Sequence, residues 1–287
     1  MSKIKFTKMH GAGNDYIYVD AMQYPLAHPE KLAVQWSAPH TGIGSDGLIL
    51  IDRSEVADFK MRMFNNDGSE GIMCGNGVRC VGKFVYDKGL TSSKSVTVET
   101  LGGIKVLQLT TDNNNKVTKV RVDMGRPSLH NKEQLANDSG SMTEGLVQAD
   151  GRDYIGTFVC MGNPHFVIFV DDIEAIDLAT EGRALETHSI FSQRCNIEFA
   201  EVRDSGVIRT RVWERGTGIT LACGTGACAT AVAAIVTGKA IGRATIAMDG
   251  GDLEIEWDGS GNLYMTGPAA TVFDGEIECN DALVGQG

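Results

Sequence analysis

The chain lacks a long apolar run, a surplus of positive charge, and any pair of cysteines at metal or dithiol spacing. Each lack removes a class of function. The longest largely apolar stretch, residues 227–236, falls far short of the ~20 residues a membrane-spanning helix needs. The opening MSKIKFTKMHGAGNDY has no apolar core long enough for a secretory leader, so no membrane partner and a cytoplasmic location are expected. Lysine and arginine number 26 against 37 aspartates and glutamates, a net charge of −11. Nucleic-acid binding needs clustered cations facing phosphates, so no nucleic-acid partner is expected. A small anionic ligand stays open, because helix N-termini act locally against a distant net charge. Seven cysteines, an odd count in a chain of 287 residues, do not read as a secreted disulfide framework. Cys74/Cys80 and Cys223/Cys228 lack C-x₂-C spacing, and at ~100° per residue neither pair shares a helix face. No metal site is expected.

What the chain has instead is glycine, 35 residues of it, and one phrase written twice. Residues 74–77 read CGNG and residues 223–226 read CGTG. Each phrase opens a stretch of helical pattern that closes at a glycine, Gly89 and Gly238. Each cysteine follows, nine positions on, the polar end of an alternating strand: Asn65 before Cys74, Glu214 before Cys223. The offset of 149 also relates Asn14 to Asn163 and Gly47 to Asn196, and puts Gly102 and Gly251 in matching hairpin turns. Matches in one register mark an internal duplication. The apolar fraction of 42% with 22% charged residues is that of an ordinary soluble domain.

The expected fold is α/β (α+β). Two pseudo-symmetric domains each wrap a mostly antiparallel mixed sheet around a central helix, with the active site in the cleft between them. The first is residues 1–123, joined by a returning tail at 270–287; the second is 124–269. Within it the polar stretch 125–153, poor in spaced apolar residues, is expected to be a linker or surface excursion. The tail has no counterpart in the repeat register.

A thiol at a helix start meets unpaired backbone N–H groups and the positive end of the dipole, which lower its pKa. Glycines after it let a carboxylate approach the amides. Two such nests with one sulfur each suit inversion at a carbon next to a carboxylate. One thiolate removes the proton, the other thiol delivers one to the opposite face, and the amides stabilise the enediolate. A cysteine taken alone is more often a small buried apolar residue, and Cys80, Cys160, Cys195, Cys228 and Cys279 are assigned to packing. Cys74 and Cys223, at the head of each copy, are the candidate catalytic pair. His165 and His10 lie in turns, where a histidine is more often a structural hydrogen-bonder. Glu214-Arg215 reads either as a solvated ion pair or as a grip on the ammonium and carboxylate of a second amino-acid end.

HGAGNDY, FNNDGS, CGNGVRC, MGNPH, ERG and ACGTGACA, in this order across nearly the whole chain, closely resemble the diaminopimelate epimerases. The resemblance implies a cofactor-independent isomerase, with neither pyridoxal phosphate nor metal, interconverting LL- and meso-2,6-diaminopimelate for lysine and peptidoglycan-precursor synthesis. It puts the catalytic cysteines at Cys74 and Cys223 and catalysis-supporting groups at His165 and Glu214. It puts substrate contacts at Asn14, Asn65, Gly75, Asn76, Asn163, Asn196, Glu214, Arg215, Gly224 and Thr225. Gly47 joins them as a departure, since many members have glutamine there. Several members form homodimers, the one protein partner the resemblance implies. Proline and hydroxyproline racemases resemble the same scaffold but need an apolar pocket, whereas the Asn/Glu/Arg set here suits a diacid. A thiol redox sensor, in which Cys74 and Cys223 form a reversible disulfide, is the alternative of another class.

Overall fold

The structure, a computed structural model, describes residues 2–285. In the first half the strands are β1 (Ser2–Gly11), β2 (Asn14–Asp20), β3 (Gly47–Asp52), β4 (Phe59–Asn65), β5 (Glu70–Gly71), β6 (Ser95–Thr100), β7 (Gly103–Thr111) and β8 (Val117–Gly125). Helix α1 (Pro29–Ser37) follows β2, and α2 (Gly75–Asp87) follows β5. β3 runs parallel to β2 and antiparallel to β4, and β6 joins β4 in parallel. The remaining pairs here, β1–β2, β4–β5, β6–β7 and β7–β8, are antiparallel. The apolar run Leu48–Ile51 does not alternate because β3 is covered on both faces. Leu48 and Leu50 join Trp36 and Leu32 of α1 in one core cluster. Ile49 faces the other way, toward Gly77 of α2.

The second half repeats this plan. Its strands are β9 (Gly145–Ala149), β10 (Arg152–Cys160), β11 (Pro164–Phe169), β12 (Asn196–Val202), β13 (Ile208–Glu214), β14 (Gly218–Thr220), β15 (Arg243–Met248), β16 (Gly251–Glu256) and β17 (Leu263–Pro268). Its helices are α3 (Leu178–Glu186) and α4 (Gly224–Val236). Both helix ranges equal those of α1 and α2 displaced by 149. The same displacement carries the β2–β3 pairing Ile17↔Leu48 onto the β11–β12 pairing Phe166↔Ile197. α4 is alanine-rich and buried from Gly226 to Ala234, as a helix apolar on every side must be. The last strand, β18 (Ala270–Cys279), pairs antiparallel with β1. One compact unit takes the chain up to Val122 and again from Gly267; the other is Asp123–Thr266. Among the described residues no helix is long and apolar enough to cross a membrane.

Three expectations need correction. The matching hairpin glycines are Gly103 and Gly251, not Gly102 and Gly251. Both begin the second strand of their hairpin at positive φ, 89° and 138°, in the pairings Thr100↔Gly103 and Met248↔Gly251. The second copy has lost one residue after its helix, so the offset there is 148. The stretch 125–153 is not a linker: β9 lies within it and pairs with β10, and Leu135, Val147 and Ala149 enter the core cluster of the second unit. Its polar residues close turns. Asn131 Oδ1 accepts from the Glu133 and Gln134 amides, and Asn137 Oδ1 from Gly140 at 2.6 Å. Finally, the tail does have a counterpart. β18 flanks β1 as β9 flanks β10, so the edge strand preceding the second copy is supplied for the first copy by the chain's end. The last two residues of that tail lie outside the described residues.

Candidate active site

Cys74 and Cys223 do not sit inside their helices but cap them. Cys74 has φ −125° and ψ 117°, Cys223 φ −124° and ψ 114°. Each sulfur accepts the amide of the third helical residue, Gly77 or Gly226, at 3.3 Å. This is the contact a serine or aspartate makes at an N-cap. Gly75 and Gly224 follow as the first helical residues. First-turn amides have no acceptor within their helix, so both helix starts are anion sites in waiting.

In the first unit the Cys74 thiol donates to Asn14 Oδ1 at 3.2 Å. Asn14 is oriented from behind: its Nδ2 donates to Asp46 Oδ2 at 2.6 Å, and the same oxygen accepts the Asp15 amide. Asp46 was missed in the sequence because the loop TGIGSDG gives an aspartate an ordinary turn role. Asn65 ends β4 and donates from Nδ2 to Ser69 Oγ at 3.0 Å. Asn76 is buried, its Oδ1 accepting from Arg79 Nη2 at 2.8 Å. Arg79, fully buried, also donates to Gly75 O and Pro268 O, so it fixes the first turn of α2. Tyr16 lies beside Cys74; burial pushes its phenol well up, and the neighbouring sulfur adds to that. Gly47 is buried in β3, and its carbonyl accepts from Ser45 Oγ at 2.9 Å. A Cβ there would stand 2.1 Å from Phe64 O, so the glycine has a packing reason.

In the second unit, Cys223 is 6% exposed and its sulfur lies 3.5 Å from Thr225 Oγ1. Thr225 Oγ1 accepts from Asn163 Nδ2 at 3.3 Å, and Asn163 Oδ1 lies 3.1 Å from His165 Nε2. His165 Nδ1 lies 2.7 Å from Glu198 Oε1, with both side chains fully buried. Glu214 accepts from Thr220 Oγ1; burial pushes its carboxyl up, opposed by hydrogen bonds from Thr220 and Cys223. Asn196 is spent on the backbone: Nδ2 donates to Pro164 O at 2.8 Å, and Oδ1 accepts the Arg215 amide at 2.9 Å. Arg215 itself is exposed and donates from Nη1 to Gln193 O. His10 accepts the Gly13 amide within its own turn.

The two thiols are alike in backbone and unlike in surroundings. The helix start was expected to draw each thiol down. At Cys223 the opposite holds: burial pushes it well above the ordinary thiol range, and the charges of Glu214 and Glu198 push the same way. A dipole effect at a helix end is worth at most about 2 kcal/mol, less than desolvation beside two carboxylates can supply. Among the described residues no group of three or more histidines, cysteines and acids is placed to hold a metal ion.

Solved structures of known proteins share this two-part, sheet-dominated α/β fold. A PhzF-family phenazine biosynthesis protein from Bacillus anthracis superposes with a TM-score of 0.71 at 17% identity, covering 97% of this chain and 100% of its own. A hydroxyproline epimerase from Agrobacterium vitis gives 0.71 at 13% identity, covering 96% and 92%. At such identities the likeness is of fold alone. The sequence goes further. The model of the diaminopimelate epimerase family matches residues 6–130 and 157–272. A diaminopimelate epimerase from Phocaeicola vulgatus is 58% identical over 276 residues, 96% of this chain and 98% of its own length. The chain belongs to the diaminopimelate epimerase family, a family of isomerases.

Proposed function

We propose that this protein interconverts LL- and meso-2,6-diaminopimelate by a two-base reaction between Cys74 and Cys223, with no cofactor. The observation that supports this most is the matched pair of thiols, each capping a glycine-led helix in a chain of this family. The carboxylate next to the reacting carbon takes first-turn amides as donors. Cys74 as thiolate takes the α-proton, and the electron pair left on carbon spreads into that carboxylate as an enediolate. Cys223 gives its S–H proton to the opposite face and is left as thiolate. The carboxylates beside Cys223 favour this distribution, with the proton on Cys223. The reverse reaction uses the other one.

Arg215 grips the carboxylate of the end that does not react, and Glu214, beside Cys223, takes an ammonium group and supports the proton transfer. Asn14, Asn65, Asn163 and Thr225 add polar contacts, and Gly75 and Gly224 open the amides. Asn76 and Asn196 act through Arg79 and the Arg215 backbone, to which their side chains are bonded. Gly47 is left out of the ligand set, because it is buried and has no room for a side chain. The reading places the chain in lysine and peptidoglycan-precursor synthesis in the cytoplasm, and the resemblance carries a homodimer with it; light scattering tests the dimer.

The experiment is purified protein with LL-diaminopimelate in D₂O, beside L-proline, with chelator and without pyridoxal phosphate. The expected result is the meso isomer carrying deuterium at the inverted carbon, and no change in proline. Conversion that needs added pyridoxal phosphate or metal, or no conversion at all, overturns the reading. Arg215→Lys loses the planar fork that matches a carboxylate. It should raise KM about tenfold or more, the worth of one charge-assisted hydrogen bond, with a smaller change in kcat. Steady-state kinetics check this, and an unchanged KM removes Arg215 from the binding set.

A further inference from the structure

The third residue of each cysteine-capped helix packs against the same position of the adjacent strand. In the first unit a Cβ on Gly77 would meet Ile49 Cδ1 at 2.8 Å. In the second unit the equivalent Cβ on Gly226 would meet Glu198 Oε1 at 2.6 Å, then Cys223 Cβ and Sγ at 3.2 and 3.3 Å. The repeat thus replaces a core isoleucine by a carboxylate directly under one thiol. A fully buried carboxylate costs several kcal/mol to desolvate unless partners repay it. Glu198 is 0% exposed; its Oε1 meets His165 Nδ1 at 2.7 Å, and its Oε2 has no hydrogen-bond partner among the described residues. Burial this complete keeps it from touching a ligand, so stability and substrate contact both leave it unexplained.

Its position does explain it. Glu198 Oε1, His165, Asn163, Thr225 and Cys223 form one connected series, at 2.7, 3.1, 3.3 and 3.5 Å. Oε1 accepts from Nδ1 and Asn163 Oδ1 accepts from Nε2, so the two acceptors together hold the His165 ring in one orientation. Asn163 then meets Nε2 with its Oδ1 and turns its Nδ2 to Thr225, and the Thr225 hydroxyl is placed at the sulfur. In the first unit the residues corresponding to His165 and Glu198 are Tyr16 and Ile49, so there Tyr16 bonds to Asn14 and Cys74 with an isoleucine in place of the carboxylate.

We propose that Glu198 is a positioning residue for Cys223: through His165, Asn163 and Thr225 it fixes the orientation of the thiol. The inference rests on Cys223 being the proton-transfer group assigned above. The groups acting on the sulfur are Glu214 on β13, Glu198 on β12, and the Thr225 hydroxyl and Gly226 amide of α4, with His165 on β11 lying between Glu198 and Asn163. Of these, Glu214 and Glu198 carry the charges that oppose the thiolate. Removing one should let it form at lower pH.

The test is Glu198→Gln, which keeps the shape and an acceptor for Nδ1 but removes the charge. The pH dependence of Cys223 alkylation by iodoacetamide, resolved by peptide mass spectrometry, should shift down by about one unit or more. Steady-state kcat should fall about tenfold to a hundredfold, the scale of a misplaced reacting group, with KM little changed. A second variant, His165→Tyr with Glu198→Ile, installs the first unit's pair and leaves no buried charge unpaired; its alkylation profile should shift the same way. A wild-type profile in either folded variant, or a change confined to KM, overturns the proposal. So does an unmodified protein whose Cys223 reacts over the pH range of a free cysteine, whatever the variants do. Alkylation does not depend on turnover, so failure of the epimerase reading and failure of this one remain distinguishable.

Discussion

Cys74→Ala and Cys223→Ala are each expected to reduce epimerisation at least about a thousandfold, the scale of losing one proton-transfer group, and to leave the fold intact. A single base cannot replace the pair, because inversion needs proton removal on one face and delivery on the other. The structural loss is small. Each sulfur accepts one amide at 3.3 Å as an N-cap, and removing a cap costs about 1 kcal/mol. Serine separates the two contributions. Cys74→Ser and Cys223→Ser keep an N-cap acceptor but put a hydroxyl, far weaker as an acid than a thiol, where the proton must move. The serine variants should therefore match wild type in Tm and match alanine in activity. Deuterium exchange at the α-carbon gives a finer reading: wild type takes up solvent deuterium with inversion, and neither alanine variant yields inverted product. Substantial turnover in any one of the four variants would sink the two-thiol scheme.

What could be read from the sequence follows from what the repeat constrains. A helix starting at Gly75 and one starting at Gly224 are the same decision made twice, so their 149-residue spacing is legible in the sequence, whereas the equal spacing of α1 and α3 emerges only in the structure. The two cysteines at the helix heads were visible for the same reason. The duplication hid the differences between copies. Glu198 sits in the run Asn196–Ala200 and looks like the polar half of an alternating strand; only the packing of Gly226 against it makes it a buried carboxylate. Local propensity also misled at 125–153, where scattered Leu135, Val147 and Ala149 fill a core without any periodic signal. The direction of the Cys223 shift could not be read either. The helix start is local, whereas Glu198 and Glu214 reach the sulfur from two other strands.

Alanine at Gly226 should be far more damaging than alanine at Gly77, although the two glycines hold the same place in their helices. At Gly77 the new methyl would press on Ile49 Cδ1 at 2.8 Å and Met61 Cε at 3.2 Å. Both are ends of flexible apolar chains that can turn aside, at an overpacking cost of about 1–3 kcal/mol. Part of that is offset by the ~1 kcal/mol better helix propensity of alanine. At Gly226 the methyl would press on Glu198 Oε1 at 2.6 Å and on Cys223 at 3.2–3.3 Å. That oxygen cannot move away without leaving His165, and the sulfur cannot move without giving up its place at the head of α4. Gly226→Ala should therefore lower kcat about a hundredfold, the usual cost of a reacting group displaced by about 1 Å. Gly77→Ala should retain activity within about tenfold of wild type, since the methyl groups that yield carry no chemistry. Thermal melts and kcat on both variants decide it. Equal losses of activity would mean that the carboxylate under Gly226 matters no more to the reaction than the isoleucine under Gly77.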